Sequence, residues 1–353
     1  MISSDIEITR ENDPQDMIGY ISDLPDQLGR AWDMGSRFPL PAADEVRQIV
    51  IVGVGGSAIG ADLLSAYVQP ICKVPVILWR NYGIPLHAHS AGTLIVFSSK
   101  SGNTEEVLNA FEQARSSSAA KLAVTTGGKL AGLGAEAGVP VWQFDHDGEP
   151  RTAVGYSFGL LLALLQRLQL IPDQDEAIHS AVKAMKKQQK QLAPDQPLDS
   201  NPALQLARRM QNTWPVVLAS DFLEPVARRW RTQIAELAKA LAQFEALPEG
   251  NHNMLEAVHF PSELHPASLM IFLQAGKNHN RNLLRSRFTR ENFDQAGLPT
   301  AVVEAAGETR LAQQWTSLHF GDYAAYYLAL DYGVNPTPVP LMQEFKARLH
   351  DAS

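Results

Sequence analysis

Short apolar runs recur along the first half of the chain, each followed by a turn of small residues and then, in most cases, by a stretch with helical spacing. Residues 48–52, 74–79, 93–98, 121–125 and 139–144 read as strands. Helices are expected near 61–67 and over 104–117, the second carrying Val107, Leu108 and Phe111 on one face. This alternation predicts a doubly wound parallel α/β sheet covered on both sides. A long helix follows over about 152–170. The polar interval 172–201 reads as a linker, with 186–191 as a solvated helix face and Pro194, Pro197 and Pro202 as punctuation. The pattern then repeats more weakly: a strand at 214–220, a helix over 226–244, strands at 268–273 and 301–304, and helices near 311–332 and 341–349. The chain therefore divides into a helical lead-in (1–45), a first α/β domain (46–171), the linker, and a second domain with a C-terminal helix (202–353).

Composition narrows the function classes. The 353 residues are 45% hydrophobic with a formal net charge of −8, which disfavours nucleic acid or an anionic membrane as partner. Cys72 is the only cysteine, so an intramolecular disulfide and a cysteine metal cluster are excluded. The opening residues 1–7 are polar and acidic, unlike a signal peptide, and the apolar run 158–165 is too short to span a bilayer. A cytoplasmic protein is expected.

The chemistry concentrates in a few motifs. Ser99-Lys-Ser-Gly-Asn-Thr104-Glu-Glu106 runs off an apolar strand into a helix, bringing Ser99, Ser101 and Thr104 to free helix-start N–H groups. One capping hydroxyl would suffice for the helix, so three point to a phosphate cradle. Gly53-Val-Gly-Gly56-Ser57-Ala58 formally fits a dinucleotide fingerprint, but 79–81 offer no acidic residue for a ribose. Arg80 could suit a 2′-phosphate, which leaves an NADP-dependent oxidoreductase as one alternative. The glycines also suit close backbone approach to a sugar, with Ser57 adding a hydroxyl. Arg151 sits at a helix start, where a cation is unfavourable. Glu236 and Lys239 lie one helical turn apart, and His252 stands between Asn251 and Asn253. His259 and His265 lack zinc-ligand spacing, and no metal is assigned.

These motifs, in this order, resemble the sugar isomerase (SIS) family, and within it the bifunctional phosphoglucose/phosphomannose isomerases. The matching segments are 53–57, 99–104, Pro150-Arg151, Glu236-x-x-Lys239, Pro248-Glu-Gly-Asn-His252-Asn253 and 338–346. The resemblance implies two SIS domains of flavodoxin-like layering, and aldose–ketose isomerisation of fructose 6-phosphate to glucose 6-phosphate and mannose 6-phosphate through a cis-enediol. No cofactor is implied. Gly56, Ser57, Ser99, Ser101 and Thr104 match substrate and phosphate positions, Glu236 the base, and Arg151 an arginine that steadies the enediolate. His252 and Lys346 match groups near the ring oxygen, the histidine reaching across a homodimer. Leu237, Met254 and Val339 stand where the family often has Asn, Glu and a hydroxyl. A sugar-phosphate-binding regulatory protein without catalysis is the other alternative.

Overall fold

The computed structural model of the chain describes residues 11–43 and 45–352. Helix α1 (Met17–Gly35) precedes β1 (Gln48–Val52), α2 (Gly56–Val68), β2 (Val76–Trp79), β3 (Thr93–Ser98), α3 (Glu105–Ala114), β4 (Ala120–Thr125), α4 (Gly128–Glu136) and β5 (Val141–Gln143). Next come α5 (Val154–Arg167), α6 (Asp175–Leu192), α7 (Pro202–Met210), β6 (Trp214–Ser220), α8 (Glu224–Leu237) and β7 (Gln243–Leu247). The chain closes with β8 (Ser268–Gln274), α9 (Asn280–Gln295), β9 (Thr300–Glu304), α10 (Arg310–Asp331) and α11 (Pro340–Asp351).

All pairings are parallel. The first sheet has the order β2-β1-β3-β4-β5, and the second, β7-β6-β8-β9, repeats that winding with one strand fewer. In such sheets ligands bind at the carboxyl ends of the strands where the winding reverses, here between β1 and β3. Side chains alternate across β1: Ile49 and Ile51 join the large core between the sheets, while Val50 and Val52 pack under α3 and α4 with Phe97, Val107 and Phe111. Helix α10 runs through the large core, buried from Leu311 to Ala329. Its Gln314 amide donates to the carbonyls of Leu63 and Phe222, joining the two halves.

Three sequence expectations change. The interval expected as a linker contains α6, because Ile178, Ala181, Met185 and Leu192 form a buried stripe among its lysines and glutamines. The helix expected over 226–244 ends at Leu237. Lys239 turns left-handed at φ 56°, and Phe244 belongs to β7. Helix α2 begins at Gly56, five residues before the apolar run that suggested it. The lead-in helix α1 is also part of the core, with Ile21, Leu24, Leu28 and Ala31 buried.

Candidate active site

The turn after β3 is built from hydroxyls that accept backbone N–H groups. Ser57 Oγ accepts from Lys100 N at 3.1 Å, Ser99 Oγ from Gly102 N at 3.1 Å, and Ser101 Oγ from Asn103 N at 3.2 Å. Ser99 Oγ also lies 2.8 Å from Thr104 Oγ1. A hydroxyl whose lone pair is taken by an N–H still has its proton to donate, so Ser57 and Ser101 can offer protons to an anion. Thr104 occupies the N-cap of α3 without a side-chain cap bond, so capping does not account for its hydroxyl. Gly102 is required here: at φ 65° its added Cβ would stand 1.8 Å from the Gly127 carbonyl oxygen, so the turn is locked against the one after β4.

At Gly55 and Gly56, which lead into Ser57, is a cavity of about 220 Å³, lined also by Arg80, Arg151, Thr232 and Glu236 among others. Arg151 lies in the single helical turn Pro150–Ala153 ahead of α5 and is 3% exposed. Its Nη1 is 3.4 Å from Glu236 Oε2 and 3.7 Å from Glu149 Oε2. Its Nη2 donates to the Pro336 carbonyl at 3.1 Å and to that of Thr337. Burial lowers the Arg151 pKa while Glu236 and Glu149 oppose it, and a guanidinium so placed stays charged. Glu236 sits in the last turn of α8, where the Lys239 ammonium donates to its backbone carbonyl. Loss of hydration, with Arg151 nearby, pushes Lys239 down to about 8.

Gly56 lines the cavity and also packs closely beneath it: a Cβ there would meet the Pro150 carbonyl oxygen at 2.4 Å and Arg151 N at 3.0 Å, so its backbone approaches the Arg151 turn. Arg80 is held in an ion pair with Asp62, which also lies 3.2 Å from Arg228 Nε.

The structure brings Arg151, Glu236 and Gly56 to one cavity, and Ser57, Ser99, Ser101 and Thr104 to one turn. His252 and Lys346 stand apart. His252 is exposed in the turn Glu249–His252 after β7, and Lys346 is exposed on α11. Among the described residues, neither pairs with Arg151 or Glu236. Leu237 is a fully buried core residue and Met254 packs under β6 and β8, so neither replaces a polar group at the cavity. Sequence reasoning missed Arg229, Gln233 and Asp322, a buried polar cluster behind Arg151. No local motif marks it, because its members come from helices about ninety residues apart.

Two parallel sheets wound in the same order, with a hydroxyl-lined turn at the reversal of the first, define an SIS-domain protein. Residues 199–349 match the family model described as the bacterial phospho-glucose isomerase C-terminal SIS domain. A solved hypothetical protein from Thermus thermophilus shares the fold, with TM-score 0.75 and 17% identity over 97% of this chain and 92% of that one. The bifunctional phosphoglucose/phosphomannose isomerase of Caldicellulosiruptor bescii is 34% identical over 335 residues, 94% of this chain and 98% of its own. That of Aquifex aeolicus is 28% identical over 302 residues, covering 85% and 90%. The chain belongs to the bifunctional phosphoglucose/phosphomannose isomerase family.

Proposed function

We propose that this chain interconverts fructose 6-phosphate with glucose 6-phosphate and mannose 6-phosphate in the cytoplasm. The observation that carries the reading is the Arg151–Glu236 pair, 3.4 Å apart at one cavity in a chain of this family. Ser57, Ser99, Ser101 and Thr104 hold the phosphate and leave the C1–C2 end of the open sugar to the cavity. Glu236 removes the C1 proton of the ketose as O2 takes one up, giving the cis-enediol; the carboxyl then returns a proton to C2 as O1 loses its own. Arg151 stabilises the negative charge that develops on the sugar oxygens. Either face of C2 can be protonated, which yields the two aldose epimers.

The two α/β halves act as the SIS domains of a homodimer, with ring opening completed across it by His252 and Lys346. Their exposure in one chain supports this, as does the apolar face of α11, where Leu341 is 81% and Phe345 59% exposed. NMR of the protein with fructose 6-phosphate in deuterated water tests the reaction. Glucose and mannose 6-phosphates deuterated at C2 are expected; phosphate binding without either product would favour a non-catalytic sugar-phosphate sensor.

A further inference from the structure

Arg229 and Asp322 form an ion pair almost sealed from water, each residue 2% exposed. The fork is bidentate: Arg229 Nε donates to Asp322 Oδ1 at 3.0 Å and Nη2 to Oδ2 at 2.7 Å. Burying such a pair costs much of what the attraction returns, and apolar residues of the same volume often stabilise a fold as well. Its surroundings suggest what the pair does instead. The same Arg229 Nη2 donates to the Arg151 carbonyl at 3.1 Å, and the Gln233 amide donates to Asp322 Oδ1 at 3.0 Å. Arg229, Gln233 and Glu236 fall on one face of α8, spaced four and then three residues apart. Asp322 belongs to α10, to which α8 is already fixed by the Trp230 indole donating to the Ser317 carbonyl at 3.0 Å. Gly321 admits that indole: a Cβ there would stand 2.1 Å from Trp230 Nε1.

We infer that the buried Arg229–Asp322 pair is a positioning unit that sets Arg151 against Glu236, tying the turn of one and the helix face of the other to α10. This rests on the isomerase reading of those two residues. Asp322 orients the Arg229 fork, Arg229 holds the Arg151 backbone, and Gln233 extends the same carboxylate toward the turn of α8 that bears Glu236. Arg229 lines the cavity wall, whereas Asp322 acts only through its partners.

The test compares Asp322→Asn, Arg229→Met and the apolar double variant Arg229→Met/Asp322→Leu. With fructose 6-phosphate, kcat is expected to fall about a hundredfold in each, the scale of a small misplacement of reacting groups, while KM moves less than about threefold. The double variant should regain thermal stability without regaining kcat. In an Arg151→Ala background, Asp322→Asn should add no further loss, since both act at one point. A folded Asp322→Asn protein with kcat within about threefold of wild type overturns the inference, as does a double variant whose kcat returns together with its stability. Wild-type turnover separately tests the isomerase reading. Independent of turnover, the Arg151 Nε resonance, assigned with Arg151→Lys in nitrogen-15-labelled protein, should shift in Asp322→Asn; an unmoved resonance also overturns the inference.

Discussion

Arg151 Nη1 lies 3.4 Å from Glu236 Oε2, joining residues 85 apart in sequence. That separation is long for a charge-assisted hydrogen bond, so the carboxylate is near the guanidinium without being tightly held. The proposed proton transfer by Glu236 requires such a loosely held carboxylate. Glu236→Gln keeps the shape and leaves an amide oxygen for Arg151, but removes the proton-accepting carboxylate. Its kcat should fall by about 10²–10⁴, and deuterium should no longer enter C2, while inorganic phosphate binds within about twofold of wild type. Turnover at the wild-type rate would remove Glu236 from the mechanism.

Gly56→Ala tests the frame around this pair. The new methyl group would stand 2.4 Å from the Pro150 carbonyl oxygen, backbone that cannot swing aside as a long side chain can. The Arg151 turn must move, and kcat should drop about tenfold or more, as misaligned charge stabilises the enediolate poorly. Gly132→Ala is the control, because a Cβ at Gly132 meets nothing within 4 Å. Equal activity of the two variants would show that the turn tolerates displacement.

The centre of the first sheet was legible because β1 and β3 are buried on both faces and read as apolar runs; residues 48–52 and 93–98 coincide with them. Helices with few apolar positions were harder to read. Helix α9 buries only Ser286, Thr289 and Phe293, and α6 hides its stripe among lysines and glutamines. Strand β7, Gln243–Leu247, contains no β-branched residue and merged with the preceding helix. At the site, Arg151 and Glu236 stood out through their motifs. The Arg229–Asp322 contact did not, since a helix-interior Arg and a helix-interior Asp carry no sign of each other until the fold joins them.

His319 gives the fold a pH dependence. It is fully buried on α10, its Nε2 donates to the Ile21 carbonyl at 2.8 Å, and its Nδ1 has no hydrogen-bond partner among the described residues. Burial pushes its pKa down to about 4. An unfolded histidine takes up its proton near pH 6.5, so the stabilising difference is fully present above about 6.5. It is lost as pH falls toward 4, because the unfolded chain binds a proton that the folded chain refuses. Over that window the loss is on the order of 3 kcal/mol. His146, also lowered to about 4 by burial, adds in the same direction but is less enclosed. His319→Gln preserves an N–H for Ile21 and has no proton to gain, so its urea midpoint should decline less between pH 6.5 and 4.5. Parallel declines in the two proteins would assign the effect elsewhere.

The proposed sharing of His252 across a homodimer predicts a particular arithmetic. Glu236→Gln and His252→Ala should each be nearly inactive alone. If Glu236 acts within its own chain and His252 in the partner's site, a heterodimer of the two variants has one site with both defects and one with neither. After equimolar mixing and subunit exchange, half of the dimers are mixed and half of their sites intact, so about a quarter of wild-type activity should return. Leu341→Glu/Phe345→Glu places charge on the exposed apolar face of α11 and should shift sedimentation toward the monomer while abolishing that recovery. A wild-type chain that sediments as a monomer, or a mixture that stays inactive despite demonstrated exchange, would place His252 outside the partner's site.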